Sequence, residues 1–131
     1  MVKSVAAMLR EARASVGLES AADVADELAA TTAVVIDVRQ HDEFLTGHIP
    51  GSIPVPRGLL EFIADPASSR HVPDLQPERR IVVVSASGAR AALAAATLQS
   101  MGYPEVVVLE GGIAAWLADG RQVSRHEYQL S

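Results

Sequence analysis

The sequence contains no cysteine among its 131 residues, and this absence excludes several kinds of chemistry. Without thiols the chain has no disulfides, no thiolate zinc or iron–sulfur sites and no cysteine nucleophile. Aromatic residues are scarce too, at 4% of the chain, so the core must consist mainly of Ala, Val, Leu and Ile. Basic residues number 11 against 16 acidic ones, and the net charge of −5 argues against a nucleic-acid-binding protein.

Long hydrophobic runs are also missing. No segment approaches the roughly 20 apolar residues that a membrane-spanning helix needs. Charges at Arg10 and Glu11 interrupt the N-terminal apolar residues before they reach the length of a signal peptide. We therefore predict a soluble, cytoplasmic protein with no membrane partner. With 49% apolar and 21% charged residues, the composition is that of a globular chain, and its length predicts a single domain over residues 1–131.

Signals for a metal or a nucleotide cofactor are weak or missing. The four histidines lack the spacing of metal ligands on one helix or loop. The sequence also lacks the Gly-x-Gly-x-x-Gly pattern of a dinucleotide-binding loop. It therefore predicts neither a metal nor a cofactor.

Three segments have the patterns of helices. In residues 3–16 apolar side chains recur every three or four positions, and Gly17 is expected to end that helix with a positive φ. Ser20 begins a sequence that resembles a capping box, which predicts a second helix after it. The third helix is predicted over residues 90–101, which are rich in Ala and Leu.

Three short runs rich in β-branched residues are typical of strands buried on both faces, at residues 33–37, 81–84 and 106–109. The last two runs and the helix between them form a βαβ unit, which predicts an α/β fold. Residues 64–80 are rich in Pro and Ser and predict a surface connection, whose length is typical of functional loops.

The residues that follow the second predicted strand are the main candidate site. In parallel sheets ligands bind beyond the carboxyl ends of the strands. The chain reads Ser85-Ala86-Ser87-Gly88-Ala89-Arg90 at that point, and we call it the 85–90 loop. The N–H groups at a helix start attract an anion, Gly88 permits a tight turn, and Arg90 adds a charged fork. On the residues alone, an anion-binding loop and a simple helix cap explain this pattern equally well.

Other stretches occur in an order and spacing found in a known family. They are Asp37-Val38-Arg39 with Glu43-Phe44, then Gly47-His48-Ile49-Pro50-Gly51-Ser52, Arg57-Gly58-Leu59-Leu60-Glu61-Phe62, and Gly102-Tyr103 followed by residues 106–116. Together with the 85–90 loop they resemble the rhodanese (thiosulfate sulfurtransferase) family, whose active-site loop has the pattern Cys-x-x-Gly-x-Arg after a buried strand. Phosphatase-like relatives of that fold are a weaker match, because their loop is typically one residue longer.

The resemblance covers residues 18–123 and implies a rhodanese-like α/β/α fold. Such a fold has a central, mostly parallel, five-stranded sheet with helices on both faces, and residues 1–17 would be a helical extension of the same domain. The implied activity is sulfur transfer from thiosulfate or a persulfide donor. The implied ligand is therefore a small sulfur-containing anion or oxyanion, while the sequence does not identify a sulfur acceptor or a partner protein.

Ser85 departs from the family pattern, since it stands where the family has its nucleophilic cysteine. In the family a thiolate attacks the outer sulfur of the donor and carries it as a persulfide, helped by the loop amides and the arginine. A serine hydroxyl is far less acidic and forms no stable S–S bond, and no base lies near it in sequence. We therefore predict an inactive chain. Two origins account for Ser85: a native residue in a non-catalytic module that senses an anion or docks a partner, or an engineered Cys→Ser change in an active enzyme.

Supporting roles are expected for five further residues. Asp37 and Arg39 are expected to form a structural pair beneath the loop, and Glu43 to brace the loop as a carboxylate. His48 is expected to be a structural histidine in its turn. The resemblance places Arg57 near the mouth of the pocket, where it would help to attract a dianion.

Overall fold

A computed structural model describes residues 1–128 of the chain. Its strands are β1 Gly17–Glu19, β2 Val34–Asp37, β3 Ile53–Pro54, β4 Ile81–Val84 and β5 Val106–Leu109. Its helices are α1 Val5–Ser15, α2 Ala21–Ala29, α3 His41–Thr46, α4 Leu60–Ala64, α5 Ala89–Ser100 and α6 Gly112–Ala118, with a 3-10 turn at Arg57–Leu59. Within residues 1–128, no helix has the length and apolar character needed to cross a membrane.

The five strands form one parallel sheet in the order β1-β5-β4-β2-β3. The central strand β4 places Ile81 beside Val34 of β2 and beside Val106 of β5. Strands β2, β4 and β5 lie where the β-branched runs predicted them, and all their residues are buried. The predicted α/β class and the five-stranded sheet are confirmed.

Helices cover both faces of the sheet, which explains why its strands are apolar at every position. Successive side chains of a strand point to opposite faces. Ile36 and Val83 pack in one cluster with residues of α4 and α5. Val35 and Val82 pack in a second cluster with residues of α2 and α6. Neither face of these strands is exposed to water, so alternation of polar and apolar residues is not needed.

Gly17 corrects one expectation from the sequence. It does not take the positive φ of a helix-ending glycine but begins β1 and lies beside Val107 of β5. A Cβ at this position would lie 3.1 Å from Cγ1 of Val107, so the small residue serves strand packing. Strands β1 and β3 were not visible as runs in the sequence because they have only three and two residues.

Helix α1 packs against α5, the helix that follows the 85–90 loop. Its start is capped by Ser4, whose Oγ accepts a hydrogen bond from the N–H of Ala7 at 3.0 Å. Ala12 is buried in the contact, and Nε2 of Gln99 donates to the carbonyl oxygen of Ser15 at 3.0 Å. The N-terminal extension is therefore held beside the element that carries the candidate site.

The long connection predicted at residues 64–80 is partly anchored in the core. Leu75 is fully buried, which the Pro- and Ser-rich composition did not indicate. The hydroxyl of Tyr103 is directed at the carbonyl oxygens of Ala64, at 2.6 Å, and Leu75, at 3.0 Å. A single buried phenol thus ties the beginning and the middle of this segment to the turn that precedes β5.

We expect Tyr103→Phe to lower the free energy of unfolding by about 1–2 kcal/mol at pH 7, because it removes that buried donor. Burial also raises the pKa of Tyr103 from 10.0 to about 12. The folded state therefore keeps a neutral phenol while the unfolded state ionises, so wild type loses this stability as the pH rises from 10 to 12. Urea denaturation of wild type and Tyr103→Phe at pH 7 and pH 11 measures the difference in their free energy of unfolding. A difference that is as large at pH 11 as at pH 7 would contradict the prediction.

Candidate active site

The 85–90 loop joins the centre of the sheet to the longest helix. Ser85, Ala86, Ser87 and Gly88 follow β4, and α5 begins at Ala89. Gly88 has φ +107°, a conformation that L side chains rarely adopt, and it allows the chain to turn sharply into α5. The loop therefore lies at the carboxyl edge of the sheet, as the sequence predicted for a ligand site.

The Ser85 hydroxyl lies at the bottom of the loop, and the residue is only 1% exposed. Its Oγ accepts hydrogen bonds from the N–H of Gly88 at 3.1 Å and the N–H of Ala91 at 3.2 Å. Within residues 1–128, no ionisable side chain forms a hydrogen bond with Ser85. The oxygen thus caps the first turn of α5 and has no base in contact to take its proton.

Four other N–H groups of the loop are available to a ligand. Within the described part of the chain, those of Ala86, Ser87, Ala89 and Arg90 have no hydrogen-bond acceptor. They surround the start of the 12-residue helix α5, where the helix dipole places partial positive charge. Ser85 therefore caps the helix, which was one of the two interpretations left open by the sequence, and the remaining four N–H groups have no acceptor within residues 1–128.

Helix α6 orients two of these four N–H groups. The N–H of Ile113 donates to the carbonyl oxygen of Ser85 at 2.9 Å, and that of Ala114 donates to the carbonyl oxygen of Ala86 at 3.2 Å. In a trans peptide the N–H points opposite to the C=O. Both carbonyls face α6, so the N–H groups of Ala86 and Ser87 point away from that helix.

Gly112 makes this close approach possible. A Cβ there would lie 2.3 Å from the carbonyl oxygen of Ser85 and 2.7 Å from the backbone of Ala86. This contribution of Gly112 to the site was not predicted from the sequence. The available signal was topological, because Gly112 follows β5, whose carboxyl end lies beside that of β4.

Arg90 is paired with Glu43 of α3. Its Nη1 and Nη2 donate to the two carboxylate oxygens at 2.7 Å and 2.9 Å. This pairing holds the pKa of Glu43 at about 2, and it raises the pKa of Arg90. Glu43 thus braces the loop, as expected. The sequence predicted Arg90 as a charged fork for an anion, and in the structure this fork is paired with Glu43.

Asp37 and Arg39 form a buried structural pair at the end of β2. Nε and Nη2 of Arg39 donate to the two carboxylate oxygens of Asp37 at 3.0 Å and 2.8 Å. Nη2 also donates to the carbonyl oxygen of Gly47 at 2.7 Å, just beyond α3. The pair therefore fixes α3, and with it Glu43, relative to the sheet.

His48 has structural contacts. It is buried, its ring stacks on Phe44 with centroids 3.7 Å apart, and its Nδ1 is 2.9 Å from the carbonyl oxygen of Phe44. Its backbone pairs with Ser124 in an antiparallel bridge. These contacts join the end of α3 to the C-terminal segment rather than to the 85–90 loop.

The guanidinium of Arg57, which the resemblance places near the mouth of the pocket, contacts α4 and α5 in the structure. Its guanidinium donates to Oε1 of Glu61 at 3.1 Å and to Oγ1 of Thr97 at 3.2 Å. Thr97 is seven residues beyond Arg90 on α5, a rise of about 10 Å along the helix axis. The ion pair with Glu61, one helical turn away, draws the side chain along α5 and away from its N-terminus.

The fold and the loop define a class of protein: a parallel α/β domain with a tight loop between its central strand and the following helix. A model of the rhodanese-like domain matches residues 20–119, and the chain belongs to that family. It is 32% identical over 95 residues to the uncharacterized protein YibN of Escherichia coli, a match that covers 71% of this chain and 62% of YibN.

Two further relatives show the same likeness. A protein of Allochromatium vinosum named sulfurtransferase is 34% identical over 87 residues, which cover 66% of this chain and 74% of that protein. A solved structure from Rhodopseudomonas palustris, described as a protein of unknown function and possible tyrosine phosphatase, has a TM-score of 0.88 and 37% identity. It covers 95% of this chain and 96% of its own.

We expect Gly112→Ala to lower the free energy of unfolding by about 3 kcal/mol or more, because its Cβ meets the loop backbone at a positive φ. Gly120→Ala is the matched control, since Gly120 also has a positive φ but would place its Cβ in open space. The control should lose only about 1–2 kcal/mol. Chemical denaturation measures both, and equal losses would show that the contact with Ser85 and Ala86 does not matter.

Glu43→Gln tests the ion pair through its pH dependence. Arg90 lowers the folded-state pKa of Glu43 from 4.5 to about 2, so the carboxylate stabilises the fold above pH 4.5 and this contribution is lost as the pH falls toward 2. Wild type should therefore exceed the variant in stability at pH 6, and the difference should shrink below pH 4.5. Glu61→Gln, in the more exposed pair with Arg57, is the control and should have a smaller effect at pH 6.

Proposed function

We propose that this chain binds a small sulfur-containing anion or oxyanion at the 85–90 loop and, with Ser85 in place, does not transfer sulfur. The supporting observation is the buried Oγ of Ser85, which accepts hydrogen bonds from Gly88 and Ala91. A group that already accepts two hydrogen bonds and touches no base is a poor nucleophile. The neighbouring free amides still offer donors to a ligand.

The family reaction explains why a hydroxyl instead of a thiol at residue 85 prevents sulfur transfer. A thiolate attacks the outer sulfur of thiosulfate, an S–S bond to the enzyme forms, the S–S bond of thiosulfate breaks, and sulfite leaves with the electron pair. The enzyme persulfide is then attacked by an acceptor thiolate or cyanide, which removes the sulfur. An alkoxide at Ser85 would be needed for the corresponding step, and a serine hydroxyl near neutral pH does not supply one without a base.

Anion binding, in contrast, does not depend on the thiol. It depends on the free N–H groups of Ala86, Ser87, Ala89 and Arg90, and on the partial positive charge at the start of α5. The name of the Rhodopseudomonas palustris relative, possible tyrosine phosphatase, makes phosphate the second anion to test. Sulfate and phosphate are both tetrahedral and present oxygen acceptors, so the N–H groups of the loop can bind either ion.

The proposal applies whichever origin Ser85 has. If Ser85 is native, the chain is a non-catalytic rhodanese-like module. If Ser85 replaces a cysteine, the same loop belongs to a sulfurtransferase of the family to which the chain belongs. The codon for residue 85 in the source genome distinguishes the two.

Backbone amide NMR and mass spectrometry test the proposal together. Titration of wild type with sulfate or phosphate should shift the amide signals of residues 86–90, while thiosulfate treatment leaves the protein mass unchanged. Ser85→Cys should instead gain about 32 Da with thiosulfate, the mass of one sulfur atom, and should produce thiocyanate from cyanide. We expect this increase in mass because the backbone N–H groups of the loop stabilise a thiolate at position 85.

Ser87→Cys is the matched control, because residue 87 is in the same loop but exposed. Its thiol would lie outside the ring of amides and should form no lasting persulfide. Thiocyanate production by wild type would overturn the predicted inactivity. Unchanged amide signals at 86–90 with both anions would overturn the binding site.

A further inference from the structure

The two edge strands of the sheet, β3 and β1, differ in their exposure. At the β3 edge Ser52 and Ile53 are buried, and Pro54 has no N–H to offer to another strand. At the β1 edge Gly17 and Leu18 are exposed, and Leu18 is 47% accessible to solvent. An exposed strand edge that contains neither Pro nor Lys is a surface on which a further strand can pair.

The backbone groups of β1 point alternately toward β5 and toward the open edge. The N–H of Glu110 donates to the carbonyl oxygen of Glu19 at 2.8 Å, so the N–H and C=O of Glu19 face β5. Because successive residues of a strand direct these groups to opposite sides, the N–H and C=O of Leu18 face away from β5. Within residues 1–128 neither group of Leu18 has a hydrogen-bond partner.

The residues on either side of β1 add one free backbone group each. Val16 and Ser20 both have extended backbone conformations. The N–H of Val16 donates to the carbonyl oxygen of Ala12, and the C=O of Ser20 accepts the N–H of Val24, both at 3.0 Å. In the described part of the chain, the C=O of Val16 and the N–H of Ser20 have no partner. The edge therefore offers acceptors at residues 16 and 18 and donors at residues 18 and 20.

We infer that β1 is a dimerisation edge, at which a second copy of this chain pairs antiparallel through its own β1. A two-fold axis at Leu18 places Leu18 opposite Leu18 of the second copy, and Val16 opposite Ser20 of that copy. Opposite residues of this kind exchange N–H···O bonds in an antiparallel ladder. The N–H and C=O of each Leu18 then bond the other Leu18, and the N–H of each Ser20 bonds the C=O of Val16 in the other copy.

This match between the edge and its own two-fold copy is the reason to assign it to a second copy rather than to another protein. A surface whose donors and acceptors meet each other under a two-fold rotation is isologous, as in most homodimers. The two Leu18 side chains would lie side by side on one face of the joined sheet and cover each other's exposed surface. The inference is independent of anion binding at the 85–90 loop.

The charge of β1 does not oppose this pairing. Its charged residue, Glu19, forms an ion pair with Arg80 of the same chain. The side chain of Glu19 lies on the face of the sheet opposite to that of Leu18, because neighbouring side chains of a strand alternate. In the register centred on Leu18, Glu19 stands opposite Gly17 of the second copy, so no like charges meet across the two-fold axis.

Disulfide cross-linking tests the register directly, because the chain has no cysteine of its own. Opposite residues that exchange hydrogen bonds in an antiparallel ladder have Cα atoms about 5.5 Å apart, a separation that a disulfide spans. Leu18→Cys should therefore form a covalent dimer under mild oxidation. Leu117→Cys is the matched control, since Leu117 is a leucine of α6 with a similar exposure of 51%, and it should stay monomeric.

Sedimentation equilibrium over a range of protein concentrations measures the dimer without a cross-link. We expect Leu18→Lys and Leu18→Glu each to weaken the dimer about tenfold, because like charges then meet at the two-fold axis. An equimolar mixture of the two variants should dimerise more tightly than either variant alone, since opposite charges meet in the mixed dimer. Thermal melts of each variant confirm that the fold is intact.

Several results would overturn the inference. Wild type that stays monomeric up to its solubility limit would do so, as would equal cross-linking of Leu18→Cys and Leu117→Cys. A mixture of Leu18→Lys and Leu18→Glu that dimerises no better than the separate variants would remove Leu18 from the axis.

Amide hydrogen exchange distinguishes a second copy from a strand of another protein. Protection of the N–H groups of Leu18 and Ser20 should rise with the concentration of this chain alone. If both stay unprotected at every concentration and become protected only when a synthetic peptide of alternating Val and Thr is added, the edge accepts a foreign strand and the inference is wrong.

Discussion

The contact between α6 and the two peptide groups after β4 is the constraint on which the site depends. The N–H groups of Ile113 and Ala114 bind the carbonyl oxygens of Ser85 and Ala86, and planar trans peptides then turn the N–H groups of Ala86 and Ser87 away from α6. Gly112 permits this approach because any Cβ would overlap the Ser85 carbonyl. Backbone packing between neighbouring strand ends thus fixes the orientation of these two peptide groups, and Oγ of Ser85 adds two hydrogen bonds at the start of α5.

A serine at residue 85 is compatible with this loop geometry. Oγ of Ser85 accepts the N–H groups of Gly88 and Ala91, so the first turn of α5 is capped. With serine in place, the loop keeps four other N–H groups that have no acceptor within residues 1–128. Two ion pairs connect the sheet to the loop. Asp37 and Arg39 hold α3 to the sheet, and Glu43 of α3 holds Arg90.

Much of the fold could be predicted because its signals are local. The buried strands β2, β4 and β5 appear as unbroken β-branched runs, and Ser20 at the N-cap of α2 appears as a capping sequence. Strands β1 and β3 could not be predicted this way, because two or three residues carry no periodicity and pair only once the sheet exists. Gly17 was assigned to a helix end for the same reason, since its actual partner, Val107, is distant in sequence.

For the site, the sequence alone determined the position of the 85–90 loop, the conformational freedom of Gly88 and the absence of a thiol, because each depends on residue type and local order. Only the tertiary structure decided which charges are free. Arg90 meets Glu43 from 47 residues away, and Arg57 meets Thr97 from 40 residues away. Side-chain pairing depends on distances between elements, and packing of helices and sheet sets those distances.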